Sequence, residues 1–378
     1  MEKPFRLGVI GGGLNSAVGH VHRIAATMDD RWKFVSGCFS TDLTENRRTA
    51  EVWGVSPDRC YKDWIDLCEK EQGHVDALLV LTPTPTHAQI VTNALSCGFN
   101  VICEKALAAN SKEAREILAA TQKFGSYLAV TYNYSGYPMI RELKSKVSSG
   151  EFGEVIQIHI EMPQEGFIRR TLDGQAITPQ DWRLNDGSVP TISLDLGVHL
   201  HQLVKFLTNS KPIELVAAEE SLGAFSEVID NVNCIARYSN GLVCQFWQSK
   251  AALGERNGLR IRLFGTHGSA EWLQMEPETM RVCDRFGHIS IIDRATPESA
   301  VSSENRYTRF KAGHPAGFIE AFANYYVDIA DALDCFLKNG TQKSPYVSGP
   351  KTALEGLFML EAMSRSAKHK RWESITTD

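Results

Sequence analysis

The sequence predicts an α/β protein of two domains. An N-terminal doubly wound parallel sheet of the Rossmann type is followed by a C-terminal α/β domain with a large, open, mostly antiparallel sheet. Three observations carry this. Short continuous apolar runs alternate with segments of helical period in the N-terminal part. After about residue 132 the period changes to two. The length of 378 residues, 43% of them apolar, is enough for two sizeable cores. The expected domains are residues 1–131 and 132–378.

Phe5-Arg6-Leu7-Gly8-Val9-Ile10 reads as the first buried strand, Gly11-Gly12-Gly13 as a tight turn, and the spacing of Val18, Val21, Ile24 and Ala25 as a helix. Glycine lets the backbone turn sharply and approach a pyrophosphate, and a helix start offers unpaired N–H groups and a positive dipole end. The loop departs from G-x-G-x-x-G: Ser16 stands at the third position and the next glycine is Gly19, so it is about three residues longer than the minimal fingerprint. Alone, such a triplet is equally compatible with a plain turn. The neighbouring pattern favours the dinucleotide reading. Residues 33–39, 75–81, 99–103 and 127–131 read as further strands, with helical patterns at 86–96 and 111–124 between them. Ligands on such sheets bind beyond the carboxyl ends of the strands, where Gly11, Ser40, Thr82 and Lys105 fall.

In the second domain Glu154 to Glu161 alternates apolar and polar residues, as do 231–238, 242–248 and 259–264, with turn chemistry at Ser239-Asn240-Gly241. An antiparallel meander is expected, one face packed on helices and the other open to solvent or a partner. Phe318, Phe322, Tyr325, Ile329, Leu333 and Phe336 form one apolar stripe on a long helix, read as core rather than as a ligand site.

The formal charge of -5, without a Lys/Arg cluster interleaved with aromatics, disfavours nucleic acid as a partner. Nine cysteines occur without a C-x-x-C pair, and the chain enters its first strand without an apolar leader, which points to the reducing cytoplasm. No apolar run approaches the roughly 18 residues needed to span a bilayer, so no membrane association is expected.

Two segments carry candidate chemistry. Val101-Ile102-Cys103-Glu104-Lys105 ends a strand in an acid and an amine. In Leu194-Asp195-Leu196-Gly197-Val198-His199-Leu200-His201-Gln202, a helix beginning near Asp195 places Asp195 and His199 at i and i+4 on one face, with His201 pointing elsewhere. The plain alternative is a helix cap or satisfied polar pair. Zinc on Asp195, His199 and His201 lacks a fourth ligand at suitable spacing, and no metal is expected.

With these residues in place, the chain resembles the Gfo/Idh/MocA oxidoreductases over nearly its whole length. The resemblance rests on the Gly-rich first turn, Thr82-Pro83 followed by His87, Glu104-Lys105, Trp182-Arg183 and Asp195-x-Gly197-x-His199, in that order. A further likeness to a subgroup runs from Gly313-His314 to Phe322. It implies an N-terminal domain holding NAD or NADP, with Gly11, Gly12, Gly13, Ser40, Thr82, His87, Glu104 and Arg183 at the cofactor. It also implies a C-terminal sheet that makes a homodimer or homotetramer, and catalysis by Lys105, Asp195 and His199. Alcohol oxidation needs a base and a stabiliser of the developing alkoxide. His199 is expected as acid/base, Lys105 as the hydrogen-bonding group sharing the proton relay, and Asp195 as the residue orienting substrate or His199.

The chain departs from the family pattern at four places. Ala106 replaces the proline common after the lysine, Gln202 replaces an aspartate, and Gly187-Ser188-Val189-Pro190 replaces a glycine-rich approach to the aspartate motif. Ser40 stands where an acid grips the ribose hydroxyls of NAD. Ser40 permits NADP, with Thr41 and Arg47 or Arg48 as phosphate contacts, while Asp42 keeps NAD open.

The expected activity is hydride transfer between nicotinamide and a secondary hydroxyl of a sugar, cyclitol or derivative. Asn133, Tyr134, Gln164 and His314 are expected at the substrate, and Tyr137 in packing. Arg169 and Arg170 offer a local attraction for an anion. Two other classes are weighed: a redox glycosidase passing through a transient ketone, and a non-catalytic cofactor sensor.

Overall fold

The computed structural model describes residues 3–341 and 344–376, in two compact units. The first unit holds the chain up to Gly136 together with Phe318–Leu354; the second holds Tyr137–Gly317 and the chain from Glu355 on.

The first unit begins β1 (Phe5–Gly11), α1 (Gly19–Thr27), β2 (Trp32–Cys38), α2 (Leu43–Trp53), α3 (Trp64–Glu71), β3 (Ala77–Leu81), α4 (His87–Ser96), β4 (Val101–Cys103), α5 (Ser111–Phe124) and β5 (Leu128–Val130). Among the described residues these strands form a parallel sheet in the order β2-β1-β3-β4-β5. Leu7, Val9, Leu78, Leu79, Val80, Val101 and Ile102 are fully buried, which is why these strands read as continuous apolar runs. Asp42, Asp63 and Asn110 start α2, α3 and α5 by accepting backbone N–H groups. The strand order reverses between β1 and β3, leaving a crevice at their carboxyl ends.

The second unit contains α6 (Pro138–Ser148), β6 (Val155–Pro163), α7 (Val198–Thr208), β7 (Pro212–Glu220), β8 (Asn231–Tyr238), β9 (Val243–Ser249), β10 (Arg260–Gly265), β11 (Ser269–Leu273), β12 (Thr279–Cys283) and β13 (Ile289–Asp293). Ile158, Ile160, Cys234, Ala236, Cys244, Phe246, Ile261 and Leu263 fill one face of the sheet. On the other, Gln157, Asn233, Ile235 and Gln245 are exposed. The expected meander is corrected in one respect: β6 lies between β10 and β9 and runs parallel to β9, from Gln157 against Val243 to Pro163 against Ser249. Alternation fixes which face a residue takes, not which strand lies beside it.

The chain then returns to the first unit through α8 (Phe318–Asn339). Its Tyr326 carbonyl accepts from Trp32 Nε1 at 2.9 Å, and Tyr325 Oη donates to the Val130 carbonyl at 2.9 Å. The expected stripe is core at Phe322, Tyr325, Ile329 and Leu333, which are buried, but not at its ends, where Phe318 is exposed and Phe336 half-buried. Finally α9 (Pro350–His369) leads to β14 (Glu373–Ser374), which pairs with β7 to give nine strands in the order β13-β12-β11-β10-β6-β9-β8-β7-β14 among the described residues. No described helix is long and apolar enough to cross a membrane.

Candidate active site

The glycine loop occupies the crevice of the first unit. Gly11 and Gly12 have φ of 84° and 74°, the left-handed region that favours glycine. A Cβ on Gly11 would lie 2.9 Å from the backbone of Leu81 and Thr82; one on Gly13 would lie 2.6 Å from Glu45 Oε1 and 3.1 Å from the Phe39 carbonyl. Gly19, the first residue of α1, abuts the Gly12 carbonyl so closely that no Cβ fits. It thus performs the helix-packing task of the third fingerprint glycine, a role its offset spacing hid in the sequence. Ser16, at the expected glycine position, accepts from the N–H groups of Val18 and Gly19 at 3.3 and 3.2 Å. Helix α2 holds the lengthened loop. Thr49 Oγ1 accepts from Leu14 N–H at 3.2 Å and Glu45 Oε1 from Asn15 N–H at 3.1 Å.

At the end of β2, Ser40 Oγ donates to Glu45 Oε2 at 3.3 Å. Asp42 Oδ1 caps α2, accepting from Thr44 and Glu45 at 2.8 and 2.9 Å. Thr41, Arg47 and Arg48 are exposed.

Beyond β4, Glu104 is buried and accepts from Thr131 Oγ1 at 2.6 Å, with His22 Nε2 at 3.3 Å. His22 Nδ1 in turn lies 2.6 Å from Tyr326 Oη. Burial pushes the Glu104 carboxyl up, but His22, Lys105 and Thr131 together hold it below the usual carboxylate range. Lys105 follows, and the Lys105–Ala106 peptide is cis although Ala106 replaces proline. His87 opens α4 fully buried, with its ring nitrogens 2.7 Å from the Thr82 carbonyl and 2.8 Å from the Ala106 carbonyl. Burial holds its imidazole below the ordinary range. His87 therefore braces the Thr82 loop against the residue after Lys105. Asn133 and Tyr134 lie in a buried turn just after β5. Asn133 Nδ2 has no hydrogen-bond partner among the described residues, which leaves a buried donor at the carboxyl end of the sheet.

The second unit carries the acid and imidazole. The helical turn before α7 is of π type over Ser193–Gly197, so Asp195 precedes the regular helix that carries His199. Such turns recur at functional sites. Gly197 lets the turn lie on β9: a Cβ there would fall 2.6 Å from Gln248 Oε1, while Gln248 Nε2 donates to Ser193 Oγ at 2.7 Å. Asp195 Oδ2 receives Lys250 Nζ at 2.6 Å and Arg183 Nη1. Arg183, expected at the cofactor, thus pairs with Asp195 while stacking on the Trp182 ring at 4.5 Å. Lys250 is buried, 5.1 Å from the Phe167 ring centre. Sequence reasoning missed it. The available signal was a lysine directly after an alternating strand, where its amine is carried to the sheet's end. His199 and Gln202 are buried on α7. His201 turns to Glu355 at 3.3 Å. Gln164 Nε2 donates to Asn257 at 2.6 Å. His314 is exposed and meets Phe310 edge-on at 4.5 Å. Tyr137 is core, its hydroxyl accepting from Gln274 Nε2 at 3.2 Å.

Comparison with known proteins matches residues 5–132 to the oxidoreductase family with an NAD-binding Rossmann fold, and residues 140–271 to the GFO/IDH/MocA C-terminal domain. The chain belongs to the Gfo/Idh/MocA family. The uncharacterized oxidoreductase YfiI of Bacillus subtilis is 29% identical, the match covering 97% of this chain and 95% of that protein. The myo-inositol 2-dehydrogenase of Thermotoga maritima is 24% identical over 97% of each chain. A crystal structure of an inositol dehydrogenase homolog from Azotobacter vinelandii, complexed with NADH and myo-inositol, superposes with a TM-score of 0.89 at 27% identity, covering 99% of this chain and 98% of that one. Residues 5–132 of the first unit are accordingly an NAD-binding domain, and the glycine turn, packed so closely on Thr82 and Phe39 that Gly11 and Gly13 leave no room for side chains, fits the close backbone approach that a pyrophosphate needs.

Proposed function

We propose that this Gfo/Idh/MocA oxidoreductase transfers hydride between a nicotinamide dinucleotide and a secondary hydroxyl of a sugar, cyclitol or derivative. Bound nicotinamide supplies the hydride acceptor. His199 takes the hydroxyl proton, Lys105 hydrogen-bonds the oxygen and shares the proton, and Asp195 positions the groups around them. The observation that carries this division is the pairing of Asp195 Oδ2 with both Lys250 and Arg183. A carboxylate engaged by two cations serves as an anchor, and a base is better sought in the imidazole on the following helix.

The substrate class is supported by the myo-inositol 2-dehydrogenase and by the inositol dehydrogenase homolog's complex with myo-inositol. Asn133, whose Nδ2 has no partner among the described residues, suits a hydroxyl, and Tyr134, Gln164 and His314 complete the proposed substrate residues. Gly11, Gly12, Gly13, Ser40 and Thr82 are proposed to contact the dinucleotide, His87 and Glu104 to position that contact, and Arg183 to act through Asp195. In this reading residues 1–131 handle the cofactor and 132–378 the substrate and self-association, through the open face of the nine-stranded sheet. The test is a panel of sugars and cyclitols with NAD and NADP, followed by nicotinamide absorbance. Accumulating reduced cofactor is expected; sugar release without it means a glycosidase, and binding with neither means a sensor.

A further inference from the structure

The end of β2 lacks an acid, yet the crevice beside it does not. Glu45, one turn into α2, brings its carboxylate between the glycine loop and the strand end: Oε1 is 3.1 Å from Asn15 N and would meet a Cβ on Gly13 at 2.6 Å, and Oε2 is 3.3 Å from Ser40 Oγ. The Gly13 N–H donates to the Phe39 carbonyl at 3.1 Å, so loop and strand end are joined beneath that carboxylate. In dinucleotide-binding sheets this corner receives the adenosine ribose, where an acid accepts from the 2′-hydroxyl and a cation accommodates a 2′-phosphate. Asp42, the other nearby acid, is turned to the helix N-terminus as its cap.

We propose that Glu45 is the cofactor-specificity residue of this chain, supplying from α2 the carboxylate absent at position 40 and so selecting NAD over NADP. A carboxylate accepts hydrogen bonds from ribose hydroxyls and repels a 2′-phosphate placed at the same corner. Ser40 completes the arrangement by donating to Oε2, which holds the carboxylate toward the crevice. The tolerance of NADP that Ser40 alone implies is therefore reversed by a residue on the next helix. The inference rests on dinucleotide binding at the glycine loop.

The test is direct titration of NADH and NADPH into the full chain, followed by nicotinamide fluorescence, for the wild type and Glu45→Gln. Glutamine keeps an oxygen for Asn15 N–H and removes the charge. NADH is expected to bind the wild type at least about tenfold more tightly than NADPH, and Glu45→Gln to narrow that ratio severalfold, mainly by strengthening NADPH. A second reading needs no variant: raising salt from about 0.05 to 0.5 M should narrow the wild-type ratio by screening the repulsion. Equal wild-type affinities, a ratio indifferent to salt, or parallel changes for both cofactors in Glu45→Gln overturn the proposal and leave Glu45 a loop anchor. Binding of neither cofactor overturns the dinucleotide site itself, and this inference with it.

Discussion

Lys250 Nζ lies 2.6 Å from Asp195 Oδ2, and Arg183 Nη1 reaches the same oxygen. Asp195 sits on the π-type turn that delivers His199 to α7. The two cations come from a strand end and a short turn far apart in sequence. Asp195 is their common partner.

Removing Lys250 therefore disturbs the position of Asp195. Lys250→Met should lower kcat about ten- to a hundredfold, with the NADH Kd unchanged and partial rescue in Lys250→Arg. Arg183 remains on Asp195, so the stability loss should stay near 1–3 kcal/mol, below that of stripping a buried charge of all partners. Thermal melting and steady-state kinetics read both effects.

Gly13→Val should abolish titratable NADH binding and also lower the apo melting temperature, through a loss of about 1–3 kcal/mol of stability. The added side chain meets the Glu45 carboxylate and the Phe39 carbonyl, so it displaces the loop from the strand end and spoils its close approach to a pyrophosphate. Gly19→Ala meets the Gly12 backbone instead and should cost about 1–3 kcal/mol of stability.

A pH dependence follows from Glu71, which is buried, receives Tyr61 Oη at 2.7 Å and pairs with Arg59. Burial raises its carboxyl, but Arg59 and Tyr61 hold it below the ordinary carboxylate value. A depressed folded pKa contributes stability that is present above the unfolded value of about 4.3 and is lost as pH falls through the folded value. The wild type should melt above Glu71→Gln at pH 7, and the gap should shrink below about pH 4.

The legible parts of this protein were those written as local pattern. Continuous apolar runs announced β1 and β3, and short motifs marked the Lys105 and Asp195 segments, which are proposed to carry the chemistry. What escaped was set by tertiary pairing. The parallel contact of β6 with β9 leaves no trace in the alternation of either strand. Lys250 and Glu45 belong to no short motif; each acquires its place because a strand or helix carries it to a neighbour distant in sequence. The close approach of Gly197, in the π-type turn, to Gln248 is likewise a tertiary contact.

The most direct test of the proposed mechanism is the rate of hydride transfer in Lys105→Ala, His199→Ala and the double variant, using a substrate from the sugar and cyclitol panel. Positioned acid/base groups typically contribute about a hundred- to ten-thousandfold, and groups acting together are non-additive. Each single variant should lose most of the rate and the double variant little more, with NADH affinity preserved in His199→Ala. Full activity in His199→Ala, or strictly additive losses, would contradict the account and move the chemistry to other residues.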